Sequence, residues 1–264
     1  MIMPEDSLEL ATLWRRLMRC QVELAFGVEA PFYARSLAWC AAQRVVDLGC
    51  GTGEYLAALR ALFPSKEYTG VERNPGYVAQ ACQRFRTSGF TPVPIVQADL
   101  FEFSGRFDAV VARLVVQHLP EPERIFDVAR ELLAPAGTLI VVESVDAERC
   151  FMPVVREIEE IFAQFRAKRR DAGFDRDAGR RVMERAPDHG FRVREDAIVF
   201  APSTVGRGPA LFVETYSTVF AILRADFDLD YDFVSAERAL REWSASLGAY
   251  AHIGVHLTSY GRVT

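Results

Sequence analysis

From Val45 the chain reads Val-Val-Asp-Leu-Gly-Cys-Gly-Thr-Gly-Glu, an apolar run closed by glycines at positions 49, 51 and 53. Glycine is needed where the backbone turns with positive φ, or where a ligand must come close to the main chain. A dinucleotide-binding turn would carry a glycine at position 54, where this chain has Glu54, and no Gly-Lys-Ser/Thr follows to make a triphosphate loop. A phosphate would meet the Glu54 carboxylate where it wants bare N–H groups. The ligand implied is therefore free of phosphate and tolerant of negative neighbours. S-adenosylmethionine fits, carrying a sulfonium and an ammonium against one carboxylate. Asp47 and Glu54 stand nearest its amino-acid end. Glu72, nineteen residues past Gly53, suits the two ribose hydroxyls. Asp99 suits the adenine amino group, with Leu100 and Phe101 packed on the ring. Cys50 has the position of a possible thiol nucleophile, yet its glycine neighbours point to ligand contact instead.

These residues need a scaffold, and the surrounding pattern supplies one. Strands are predicted at 44–48, 68–72, 94–98, 107–112 and 137–143, with helices between them, including 75–85 and 122–133. Such alternation predicts a doubly wound α/β fold with a mostly parallel sheet covered on both faces. Ligands of open parallel sheets bind beyond the carboxyl ends of the strands, where the glycine turn, Glu72 and Asp99 fall. Leu8, Leu10, Leu13, Trp14, Leu17, Met18 and Val22 recur at helical spacing. A second short helix is expected to begin at Pro31, a residue suited to a first helical position. Beyond residue 153 the pattern predicts charged helices to 187, a strand at 191–200, an unusually apolar helix at 209–225 and a last strand at 251–263. One domain is expected: a helical cap at 1–42, a cofactor-binding core at 43–147, and a C-terminal part at 148–264 with an acceptor-site cap at about 202–250.

Several segments together resemble the class I S-adenosylmethionine-dependent methyltransferases, small-molecule branch. The resemblance covers about Arg44 to Glu143, and more loosely the whole chain. The turn from Val45 to Gly53 is similar to that family's first motif, Gly70-Val71-Glu72-Arg73-Asn74-Pro75 to its second, and Ala98-Asp99-Leu100 to its third. Arg113 to Pro120 resembles the segment after strand 4, and Leu132 to Leu139 the approach to strand 5. The resemblance implies a Rossmann-like, seven-stranded sheet, S-adenosyl-L-methionine as cofactor and S-adenosyl-L-homocysteine as product. It implies cofactor contacts from Asp47, Gly49, Cys50, Gly51, Gly53, Glu72, Arg73, Asp99 and Leu100, and contact of Arg113 with the methionyl part.

Methyl transfer from a sulfonium asks mainly for alignment, exclusion of water and, for some acceptors, removal of a proton. His118 is the first candidate base, since it follows strand 4 and an ordinary imidazole titrates near neutrality. Glu143, at the end of strand 5, is a candidate to orient an amine or hydroxyl, and Tyr33 to close over the cofactor from the N-terminal cap. Phe212, Tyr216, Phe220 and Trp243 predict an apolar or aromatic acceptor pocket, unless helix 209–225 is simply core. His252 and His256 share one strand face but lie ~13 Å apart, too far to ligate one metal, so no metal is expected. The run Arg166-Ala167-Lys168-Arg169-Arg170 lies in a stretch, 156–185, with nine basic and seven acidic side chains, and reads as a solvated helix face.

Composition narrows the class further. The 264 residues are 50% hydrophobic and 25% charged, enough for a sizeable core, and the net charge of −5 offers no general grip on nucleic acid. No run approaches the ~18–20 apolar residues of a membrane span. The start, Met1-Ile2-Met3-Pro4-Glu5-Asp6, lacks the features of a signal peptide, and the five scattered cysteines read as reduced, mostly buried thiols. The expectation is a cytoplasmic monomer or homodimer acting on an O or N atom of a small metabolite, without nucleic-acid or membrane partners. Three alternatives stay open: a methyltransferase of RNA or protein, a homologue that binds the cofactor without methylating, and a dehydrogenase.

Overall fold

The computed structural model describes residues 8–87, 92–204 and 206–263; the reading made on Met1–Asp6 lies outside them. Seven strands form one sheet: β1 (Arg44–Leu48), β2 (Glu67–Glu72), β3 (Ile95–Gln97), β4 (Phe107–Arg113), β5 (Leu133–Met152), β6 (Phe191–Pro202) and β7 (Tyr250–Arg262). Their order is β3-β2-β1-β4-β5-β7-β6. The first five run parallel, and β7 lies antiparallel between β5 and β6. This is the doubly wound, mostly parallel α/β sheet expected from the alternation. The order reverses beside β1, so its C-terminal end is the switch point where a crevice opens.

The helices follow from apolar spacing. In α5 (Ile125–Leu132), Ile125, Phe126, Val128, Ala129 and Leu132 are all buried against the sheet. Each large side chain there contributes roughly 1.5–3 kcal/mol. On the other face α3 (Glu54–Leu62) buries Tyr55, Leu56 and Leu59, while α4 (Pro75–Thr87) buries Ala81 and Phe85. Among the described residues no helix is long and apolar enough to cross a membrane.

The N-terminal segment departs from expectation. Helix α1 runs unbroken from Leu8 to Arg35 with Pro31 inside it. Proline there gives up one intrahelical hydrogen bond near the helix end. The following turn is held by Phe32 and Tyr33, both buried. The second helix, α2 (Leu37–Ala41), starts later, capped by Ser36, whose hydroxyl accepts from the Trp39 N–H.

Strand β5 also exceeds the expected 137–143. It pairs with β7 as far as Met152, with a register shift between Val145 and Cys150 that its irregular polar pattern conceals. Beyond it come α6 (Arg156–Asp171) and α7 (Ala178–Arg185), then α8 (Pro209–Ala225) and α9 (Phe233–Ala245) between β6 and β7. Residues of α1, α6, α8 and α9 share a hydrophobic core of their own. That explains the apolar circumference of α8: Phe212 and Phe220 are buried with Trp243 of α9 in this core. Of the five cysteines only Cys20 and Cys50 are buried and Cys40 is exposed, so the expectation of mostly buried thiols is corrected.

Candidate functional site

A continuous cavity of about 480 Å³ opens beyond the C-terminal ends of β1, β2 and β4, and extends beneath α1, α6 and α8. At its sheet end the glycine turn has the conformation its spacing implied. Gly49, Gly51 and Gly53 all have positive φ. A Cβ on Gly49 would stand 2.8 Å from Val115 Cγ2, and one on Gly51 would stand 2.7 Å from Met18 Sδ. Gly49, Cys50 and Gly51 line the cavity. Gly53 is not among its walls; it caps α3 and lets Phe85 and Ala81 of α4 approach. The Cys50 thiol faces Gly70, and burial pushes its pKa well up, so it is inert as a nucleophile.

Glu72 lies at the tip of β2, accepting hydrogen bonds from Gly51 N–H (3.1 Å, Oε2) and Asn74 N–H (2.8 Å, Oε1). Each carboxylate oxygen retains a lone pair for a further donor. Asp99, past β3, accepts from Phe101 N–H at 2.9 Å. Arg73, Asp99, Leu100 and Phe101 all line the same stretch of wall. The Arg124 guanidinium stacks 4.2 Å from the Phe101 ring centroid.

Asp47, on β1, lines this end. It is buried, and its Oδ2 has no hydrogen-bond partner. Desolvation raises its pKa to about 7, opposed by Arg113 and reinforced by Glu72. An orphaned buried carboxylate oxygen facing a cavity is a place for a cationic ligand group. Arg113 is held by a buried fork: Nε and Nη2 lie 3.0–3.2 Å from the Glu29 carboxylate, which is fully buried. The Arg113 guanidinium also lies 4.6 Å from the Tyr55 ring centroid. Glu54 reaches the cavity wall, but its carboxylate pairs with Arg84. An orphaned acid, glycines that admit no Cβ and two acids at strand tips fit the phosphate-free, cationic nucleoside inferred from the sequence.

The three residues chosen for acceptor chemistry fare differently. His118, in the turn after β4, does face the cavity. Desolvation by the cavity walls, with the charges of Arg176, Arg169 and Arg73, lowers its pKa below the ordinary value, although the residue itself is exposed. Glu143 is absent from the cavity wall. It is buried on the opposite face of β5, where its Oε1 accepts from Val116 N–H (2.9 Å) and braces the turn carrying His118. Its neighbour Ser144 is the residue that lines the cavity. Tyr33 is likewise outside the wall: it lies fully buried behind Tyr55, whose hydroxyl donates to it at 2.8 Å. Of the four aromatic residues expected around the acceptor only Tyr216 lines the cavity, joined by Phe162, Phe165 and Phe227.

The largest surprise is basic. Arg149, Arg169 and Arg176 all line the far end. Arg169 belongs to the run read as a solvated face, yet it is 5% exposed and donates to the Gln117 carbonyl at 3.2 Å. Its helical phase decides this: it follows Phe165 by four residues and so joins the buried stripe of Ile158, Ile161, Phe162 and Phe165, while Lys168 and Arg170 fall outside that stripe and are exposed. Glu29 and the cavity-facing Met18 and Gln21 of α1 were also missed. A polar residue within the apolar stripe of α1 was the available signal.

Residues 46–139 match the methyltransferase domain family. A trans-aconitate 2-methyltransferase from Deinococcus radiodurans is 36% identical over 99 residues, 37% of this chain and 36% of that protein. One from Escherichia coli is 32% identical over 99 residues, 37% of each. An uncharacterized Synechococcus protein is 30% identical over 159 residues, 58% of this chain and 37% of its own length. The chain thus spans little more than a third of the length of these curated relatives. Among solved structures, the [4+2]-cyclase SpnF superposes with a TM-score of 0.52 at 19% identity, covering 83% of this chain and 75% of that one. The cyclopropane synthase MmaA2 from Mycobacterium tuberculosis gives 0.51 at 15% identity, covering 82% and 78%. At these identities the likeness is one of fold.

Proposed function

We propose that this chain, which carries a class I S-adenosylmethionine-dependent methyltransferase domain over residues 46–139, transfers a methyl group to an O or N atom of a small molecule. The observation that carries the reading is one cavity joining two unlike ends: the orphaned Asp47 carboxylate with Glu72 and Asp99 at one, and aromatic side chains with His118 at the other. When bound, S-adenosylmethionine supplies an electrophilic methyl group on a sulfonium.

The chain's own residues do the rest. Asp47 binds the ammonium, Glu72 the ribose hydroxyls and Asp99 the adenine amino group. Arg113, fixed by Glu29, is suited to the methionyl carboxylate. Helix α1 with α6 and α8 excludes water, which aligns the acceptor and suppresses side reactions. His118, on the cavity wall, is placed to hydrogen-bond the acceptor, and its lowered pKa makes it a weak base. Glu143 and Tyr33 act indirectly, by bracing the His118 turn and the Tyr55 ring.

The test is incubation with S-adenosylmethionine and a metabolite panel, reading adenosylhomocysteine formed per methylated product. A one-to-one yield with small acceptors is expected. Activity confined to tRNA or protein, or product formation without adenosylhomocysteine, would refute the reading.

A further inference from the structure

The far end of the cavity contains a cation whose hydrogen bonds are unfinished. The Arg149 side chain is 4% exposed, lines the cavity, and has two nitrogens, Nε and Nη2, with no hydrogen-bond partner. The guanidinium sits over Phe162, 3.8 Å from the ring centroid. Stacking of this kind occupies the face of the group and leaves its edge unpaired, though closed to bulk solvent. Nε–H and Nη2–H share one edge, with the spacing that a carboxylate accepts in a bidentate fork.

The nearby acids do not take that edge. Asp146 is engaged by Arg176 at 3.1 and 3.3 Å, and reaches Arg149 only at 3.8 Å. Glu159, half exposed, approaches Nε to 3.9 Å, beyond hydrogen-bonding distance. Asp226 lies near Arg169 instead. Three guanidinium groups therefore converge on a space whose nearest carboxylate is already engaged. The Arg149 charge has Asp146 and Glu159 at ion-pair distance and a side-chain hydrogen bond to Tyr216, so what stays open is the hydrogen bonding of Nε–H and Nη2–H, and buried donors left unmade are costly.

We propose that the acceptor is a small organic acid, one carboxylate of which docks on the Nε–Nη2 edge of Arg149 while its apolar body lies against Phe162, Phe165 and Tyr216. This rests on the reading of the cavity as a methyl-transfer site, and it narrows the acceptor from any small molecule with an O or N acceptor to an organic acid.

The test needs no knowledge of the natural acceptor. Binding of 3-phenylpropionate and octanoate is compared by calorimetry with that of their amides, on the full chain saturated with adenosylhomocysteine. Each acid should bind roughly ten- to a hundredfold more tightly than its amide. Arg149→Gln should abolish that preference, and Arg149→Lys, which keeps the charge but loses the fork, should lose most of it. Adenosylhomocysteine affinity should be unchanged in both variants. Equal binding of acid and amide to the unaltered chain would overturn the proposal, whether or not the variants fold, and so would a preference that survives Arg149→Gln. Adenosylhomocysteine binding without an acid preference sinks this inference alone. An Arg149-dependent acid preference without adenosylhomocysteine binding sinks the methyl-transfer reading and leaves the anion site standing.

Discussion

Replacing Asp47 by Asn tests the electrostatics of the nucleoside end, and the structure sets the size of the effect. Burial raises the Asp47 pKa to about 7, and its Oδ2 awaits a donor. If a ligand ammonium binds the ionised form, affinity follows the ionised fraction. That fraction rises from about a tenth at pH 6.0 to about three quarters at pH 7.5, so adenosylhomocysteine should bind roughly eightfold more tightly at the higher pH. Calorimetry at pH 6.0 in buffers of different ionisation enthalpy should detect close to one proton released per ligand. Asp47→Asn should flatten the dependence and weaken binding at pH 7.5 by roughly ten- to a hundredfold. Any slope left in the variant would belong to Glu72, whose pKa is also raised, chiefly by desolvation. A flat profile in the unaltered chain, or an unchanged slope in Asp47→Asn, would show that this acid does not meet the cation.

Three further outcomes follow from geometry already described. Glu29→Gln leaves the Arg113 charge buried and half paired, and should cost about 3–5 kcal/mol in urea unfolding, with adenosylhomocysteine affinity falling too. Gly49→Ala forces a side chain to φ 67° and against Val115; about 1–2 kcal/mol should be lost in a thermal melt, of which Val115→Ala restores only the contact part. Glu143 has a pKa raised from 4.5 to about 7, mainly by burial, so its ionisation opposes folding. Stability should be greatest below pH 4.5 as far as this group is concerned, and fall as pH rises through 7. Glu143→Gln should remove that fall, about 3 kcal/mol, seen as a flatter dependence of the melting temperature on pH.

Much of the scaffold was legible because periodicity and glycine punctuation are local. The ends of α8 could be read from Pro209 and the break after Ala225, and the strand tips from the acids that follow them. What failed was facing. In a sheet covered on both sides, hydropathy does not say which surface a side chain joins. Glu143 and Ser144 are neighbours on β5, yet one braces a turn and the other meets the cavity, and only the fold fixes that parity. Tyr33 on α1 lies behind Tyr55 of α3, and helical spacing within α1 does not say that another helix's ring stands between it and the cavity. Arg169 was hidden by its company, since a cluster of basic residues on a helix reads as solvated whatever the phase of any one member.

The two helices α8 and α9 leave the sheet from β6 and return to it through β7, its immediate antiparallel partner. Such a connection can be enlarged, trimmed or exchanged during evolution while the strand tips proposed to hold the nucleoside stay as they are. Recognition of a new acceptor would then require rewriting one hairpin connection and the helices facing it, a division of labour in keeping with a family match that stops at residue 139.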